Sequence, residues 1–182
     1  MTASNYFKIA FLGATGSGKS TAIRAISDSE AIDTDVDSTD EVRLLKKTTT
    51  VAIDYGELKL DDNRKLLLYG LPGQARFEFM FDTISDNLLG IILLVDGLSS
   101  PLDGLEDVLS TYSKNLRSLP LVVALNKLEE RDESLAEACA DLLAKYELIA
   151  PVEQIDARNR DDVIKIFDLL TLLVETAAET PN

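Results

Sequence analysis

The chain has 182 residues, with 18 Lys and Arg against 32 Asp and Glu, a formal net charge of −14, no His and one Cys. That balance argues against nucleic acid and an anionic membrane surface as main partners, because both are held through clustered cations. Without histidine there can be no histidine metal site and no Ser/His or Cys/His nucleophile pair.

Apolar residues at 46% and charged residues at 27% are a globular mix. The length suits one domain over residues 1–182. A core of that size buries about 70% of the unfolded surface and needs no disulfide. The single cysteine, Cys139, fits a reducing cytosol. The first eight residues lack the basic and apolar regions of a secretory signal. The longest apolar run, Leu88 to Val95, is strand-length rather than membrane-spanning, and Thr180-Pro181-Asn182 carries no cysteine for a prenyl group. A cytoplasmic protein with no direct membrane insertion is therefore expected.

Tyr6 to Leu12 is a short apolar run before a glycine-rich loop and is predicted as a strand. Lys19 to Ile26 places Ala22, Ile23 and Ile26 on one face, the spacing of a helix. Residues 28–41 hold seven acids in fourteen positions and are predicted as a solvated loop. Thr48 to Lys59 and Arg64 to Tyr69 form a predicted antiparallel pair around the turn Leu60-Asp61-Asp62-Asn63. Gly90 to Val95 and Leu121 to Leu125 are uninterrupted β-rich runs, as in strands buried on both faces. Gly104 to Leu119 and Glu133 to Tyr146 have helical apolar spacing, with Cys139 on the packed face of the second. Pro151 to Ile155 and Asp161 to Ala178 close the chain as strand and helix. This alternation predicts a three-layer α/β fold: a six-stranded, mostly parallel sheet with one antiparallel edge pair and about five helices.

The sharpest motif is Gly13-Ala14-Thr15-Gly16-Ser17-Gly18-Lys19-Ser20, a complete GxxxxGK[ST] between a predicted strand and helix. Its glycines let successive backbone N–H groups turn inward toward phosphate oxygens, and the following helix adds its positive end. Lys19 would reach the β- and γ-phosphates, the Ser20 hydroxyl would ligate Mg²⁺, and Thr21 completes the phosphate-binding set.

Four further segments follow in order: Thr48-Thr49-Thr50-Val51-Ala52-Ile53-Asp54-Tyr55-Gly56, Gly70-Leu71-Pro72-Gly73-Gln74-Ala75-Arg76-Phe77, Asn126-Lys127-Leu128-Glu129 and Asp156-Ala157-Arg158. With the phosphate loop, this series resembles the Ras-like small GTPases, the P-loop GTPase fold, over nearly the whole chain. The resemblance implies GTP and GDP as ligands with Mg²⁺. It makes Thr50 the switch I metal ligand, with Thr48 and Thr49 as neighbouring alternatives. Gly73 corresponds to the switch II glycine whose amide meets the γ-phosphate, and Gln74 to the glutamine that orients water. Arg76, or Arg43 before switch I, is the candidate arginine finger in cis. Asn126 would brace the phosphate loop, Lys127 would lie along the base, and Glu129 would accept from guanine. Ala157 would donate its amide to the guanine carbonyl, within the loop formed with Asp156 and Arg158.

Two positions depart from the pattern. Gly70 stands where the family has an Asp that holds a metal-bound water, and Glu129 stands in place of Asp. The Pro72-Gly73-Gln74 form and the lost acid are similar to bacterial MglA-type GTPases, which implies roadblock-type proteins, a GTPase activator or an effector as partners. The implied function is a slowly hydrolysing GTP switch. The alternative left open by Gly70 is a guanine-nucleotide-dependent scaffold with negligible hydrolysis. Phe77, Phe79, Met80 and Phe81 follow switch II and cannot share one helix face, so at least one is expected to be exposed to a partner.

Overall fold

The structure, a computed structural model, describes residues 6–28, 54–61 and 63–179. Thr48, Thr49, Thr50, Arg43 and all but the first residue of the acidic segment lie outside the described residues.

The apolar runs become strands β1 (Tyr6–Gly13), β2 (Asp54–Lys59), β3 (Lys65–Pro72), β4 (Leu88–Asp96), β5 (Leu121–Asn126) and β6 (Val152–Ile155). Between and after them lie α1 (Lys19–Ile26), α2 (Glu78–Ile84, entered through a 3₁₀ turn at Ala75–Phe77), α3 (Pro101–Leu116), α4 (Glu133–Lys145) and α5 (Arg160–Glu179). The sheet order is β2-β3-β1-β4-β5-β6, with only β2 and β3 antiparallel. The predicted architecture is therefore the observed one. The third helix starts three residues earlier than its apolar spacing indicates, because Pro101 supplies a favourable first helical turn.

Side-chain alternation divides the core into two layers. Ala10 and Leu12 of β1, Leu67, Tyr69 and Leu71 of β3, and Ile91, Leu93 and Val95 of β4 pack toward α2, α3 and α4. Ile9, Phe11, Leu66, Leu68, Ile92 and Leu94 face α1 and α5. The central strands are apolar on both faces because both are covered. Cys139 is fully buried, and desolvation pushes its thiol up to about 11, consistent with packing rather than redox chemistry. Among the described residues, no helix is long and apolar enough to cross a membrane.

Phe11 sits at the centre of this arrangement, fully buried with its ring 5.7 Å from that of Phe167. Phe11→Ala removes a ring that the sheet and α5 cannot collapse around. The expected cost is about 3–5 kcal/mol. At roughly 2–4 °C per kcal/mol for a chain of this size, thermal unfolding should shift down by on the order of 10 °C.

Candidate functional site

The site lies where β1, β3, β4 and β5 end, at the carboxyl edge of the parallel sheet. After β1 the chain turns through the glycine-rich loop directly into α1. Gly16 and Gly18 have φ of +82° and +109°, which side-chain-bearing residues rarely adopt. Gly18 caps α1 without any side-chain acceptor, so the first helical N–H groups stay open to an incoming anion. Lys19 is 8% exposed, and its ammonium donates to the carbonyls of Gly13 and Ala14, each at 2.9 Å. Burial lowers its pKa, while the nearby Asp54 carboxylate partly restores it. The loop thus holds a desolvated cation beside a helix start that no side chain caps. The Ser17 hydroxyl is buried with no hydrogen-bond partner among the described residues.

A second cluster adjoins the start of α1. Ser20 Oγ donates to Asp54 Oδ2 at 2.6 Å. Asp54 opens β2, and the antiparallel register sets it opposite Gly70. A Cβ at Gly70 would stand 2.7 Å from Asp54 Cβ and 3.1 Å from its Oδ2. Asp54 belongs to the segment read as following the switch I threonine, but sequence reading assigned it no role. A hydroxyl and a carboxylate side by side are hard oxygen donors of the kind Mg²⁺ takes. Among the described residues there is no group of three His, Cys, Asp or Glu that could cage a metal unaided. A cation here would take its remaining ligands from phosphate and water.

The segment after β3 is held against both the loop and α3. The Gly73 amide donates to the Gly13 carbonyl at 3.0 Å, and Tyr112 Oη donates to the Pro72 carbonyl at 3.1 Å. Burial pushes the Tyr112 phenol up to about 12, so it remains a donor at neutral pH. Gly73 has no room for a side chain: a Cβ would meet Val108 Cγ2 at 2.6 Å and the Gly13 carbonyl carbon and oxygen at 3.2 Å. Gln74 is exposed and lines a cleft of about 450 Å³ with Ala14, Thr15, Gly73 and residues of α3. The guanidinium of Arg76 lies over the Phe77 ring, 4.7 Å from its centroid. Of the four apolar residues after this loop, Phe77, Met80 and Phe81 are buried and Phe79 is 41% exposed. One exposed member is what the helical geometry predicts.

On the other side of the loop, Asn126 is the organising residue. Its Nδ2 donates to the Ser17 carbonyl at 2.9 Å, and its Oδ1 accepts the Ala157 amide at 3.0 Å. One buried amide thus ties the phosphate loop to the loop after β6, and the bare Cα of Gly18 lets it approach. The Ala157 amide, expected to face a base carbonyl, is engaged by Asn126 here. Lys127 has φ +69°, and its ammonium meets Asp96 Oδ2 at 2.6 Å. Burial would raise the Asp96 pKa, but Lys127 and the amides of Leu98 and Ser99 hold it below the usual carboxylate value. Arg158 grips Asp156, taking that carboxyl down to about 2, though on an exposed surface such a pair adds little stability. Gly16, Gly18, Thr21, Asn126, Lys127, Glu129, Asp156, Ala157 and Arg158 border a common cleft of about 690 Å³. Of the residues singled out in sequence, Arg43, Thr48, Thr49 and Thr50 lie outside the described residues.

The sheet order, the glycine-rich loop and its two flanking clefts define a P-loop protein with the GTPase fold. The chain belongs to the family described as conserved hypothetical ATP binding proteins, whose match spans residues 30–179 and so begins after the phosphate loop. It is 25% identical over 130 residues to an uncharacterized protein of Methanocaldococcus jannaschii, covering 71% of this chain and 75% of that one. Among solved structures, the Arl6 small GTPase of Trypanosoma brucei, bound to the nucleotide analogue GppNp, superposes with a TM-score of 0.67. The match is at 16% identity and covers 94% of this chain and 98% of that one. The FeoB G-domain of Methanococcus jannaschii superposes at 0.56, with 16% identity and coverage of 94% and 99%. A bacterial selenocysteine-specific elongation factor matches at 0.62 and 20% identity; 95% of this chain spans only 29% of that one. At these identities the likeness concerns the fold.

Proposed function

We propose that the protein is a Mg²⁺-dependent guanine-nucleotide switch that hydrolyses GTP slowly and signals through residues 28–50 and 70–86. The observation that carries this reading is the Asn126 bridge. It binds the phosphate loop to the 156–158 loop as one unit, and residues of both border one cleft of about 690 Å³ with Lys127 and Glu129. Residues 13–21 would hold the phosphates, with Lys19 offsetting their charge. Lys127, Glu129 and the 156–158 loop would hold the base, and the Glu129 carboxylate favours guanine, which offers it two donors. Ser20 and Thr50 would hold Mg²⁺, which when bound neutralises charge on the β- and γ-phosphate oxygens.

For hydrolysis, Gln74 would orient the attacking water beside the Gly73 amide. No arginine among the described residues is poised over that cleft, since Arg76 lies on Phe77. A finger supplied by a partner, or by Arg43, which lies outside the described residues, is typically worth ~10³ to 10⁵ in rate and would set the lifetime of the GTP state. Exposed Phe79 suits a protein partner of the GTPase-activator, effector or roadblock type.

Mass identification of the nucleotide that co-purifies with the protein tests the ligand, with guanine nucleotide expected. Single-turnover GTP hydrolysis tests the chemistry: Gln74→Leu should slow it by roughly 10²-fold, the penalty of misplacing a reactant. Equal rates in parent and variant, both at the buffer background, would favour the scaffold reading instead.

A further inference from the structure

Gly70 leaves the site one acid short of the small-GTPase pattern, and the fold places another acid in the space it vacates. Asp54 and Gly70 face each other across the antiparallel β2–β3 pair. The Cβ that any other residue at 70 would carry falls 2.7 Å from Asp54 Cβ. Position 70 would also crowd Asp54 Oδ2 at 3.1 Å and Ile23 Cδ1 at 3.3 Å. Two side chains cannot both occupy that volume, so an acid can come from β2 or from β3 but not from both.

The acid present is already engaged with the site. Ser20 donates its hydroxyl proton to Asp54 at 2.6 Å, which leaves the Ser20 oxygen lone pairs for a cation. Asp54 is half-buried, where a carboxylate is worth more to a cation than on an open surface.

We propose that Asp54 is a Mg²⁺-site residue, supplying from β2 the carboxylate that β3 lacks. It orients the Ser20 hydroxyl and accepts from water in the coordination sphere. The proposal rests on the nucleotide-binding reading above and adds a specific prediction: residues 54 and 70 are interchangeable carriers of one carboxylate.

The test is release of a fluorescent GDP analogue from the full chain, followed across a Mg²⁺ titration and in excess EDTA. Losing a partner that orients a metal ligand typically costs 10–100-fold in metal affinity. Asp54→Asn, which preserves shape and removes charge, should raise the Mg²⁺ midpoint by about that factor and leave the EDTA rate unchanged. Asp54→Gly alone should shift it likewise. The reciprocal double variant Asp54→Gly with Gly70→Asp should bring the midpoint back toward the parent value, and it remains informative if a single variant folds poorly. A midpoint unmoved in Asp54→Asn overturns the proposal. So does an equal acceleration with and without metal, which marks a purely structural role. A parent that retains no guanine nucleotide under any condition overturns the underlying functional reading instead, so the two failures are distinguishable.

Discussion

Lys19→Ala is expected to lower affinity for guanine nucleotides by ~10²- to 10³-fold, the cost of truncating one partner of a buried, hydrogen-bonded charge pair. The reason lies in how the ammonium is held. It is anchored between two backbone carbonyls at 2.9 Å and is 8% exposed, so it would meet a phosphate without being drawn from water. Burial lowers its pKa, so the free protein keeps an incompletely compensated cation that a phosphate would complete. Lys19→Arg should not rescue binding, because a planar fork cannot replace a compact ammonium in the same cradle. Calorimetric titration with GDP reads the loss. Thermal unfolding without nucleotide should change by no more than a few degrees, since the Lys19 ammonium bonds loop carbonyls rather than packing in the apolar core. A variant that binds GDP as tightly as the parent does would remove Lys19 from the site.

Much of this was readable in the sequence because the responsible signals are local. Strand and helix periods identify β1, α1, β4 and β5 nearly to the residue, since these elements are buried on both faces or amphipathic on one. The phosphate loop is legible for a similar reason: its chemistry is encoded in eight consecutive positions. Asn126 was legible by its place after a strand, although its bridge to Ala157 was not. That contact joins residues 31 apart, and nothing in either segment announces it.

Asp54 shows a different limit. Read alone, it is one of 32 acids in a strongly acidic chain. Its importance comes from register, because the antiparallel pairing of β2 and β3 sets Asp54 opposite Gly70, each eight positions from residue 62 in the sequence. Counting outward from the hairpin turn would have paired the missing side chain with the acid opposite it. The same pairing explains why glycine is not a simple loss at 70. Once Asp54 occupies the space, a larger residue there would have to displace it.

The preference for guanine should weaken in Glu129→Gln. Guanine presents two donors, its ring N1–H and its exocyclic amine, and a carboxylate accepts both. A glutamine amide offers one acceptor and one donor, so its NH₂ would confront the exocyclic amine of guanine. Losing a hydrogen bond to a charged acceptor costs about 1.5–3 kcal/mol. GDP affinity should therefore fall by ~10- to 10²-fold. Xanthine carries a carbonyl where guanine carries the amine, so the amide NH₂ would have an acceptor and XDP should bind the variant better than the parent. Adenine presents a lone pair at N1, which the parent carboxylate repels, and Glu129→Gln should narrow the gap between GDP and ADP. Competition of GDP, XDP and ADP against one fluorescent nucleotide measures all three on parent and variant. Because Glu129 is exposed at the rim of the 690 Å³ cleft, its substitution leaves the core untouched and the comparison reports recognition alone. Equal binding of ADP and GDP by the parent would take base choice away from Glu129, and tighter binding of ADP would favour the ATP named in the family description.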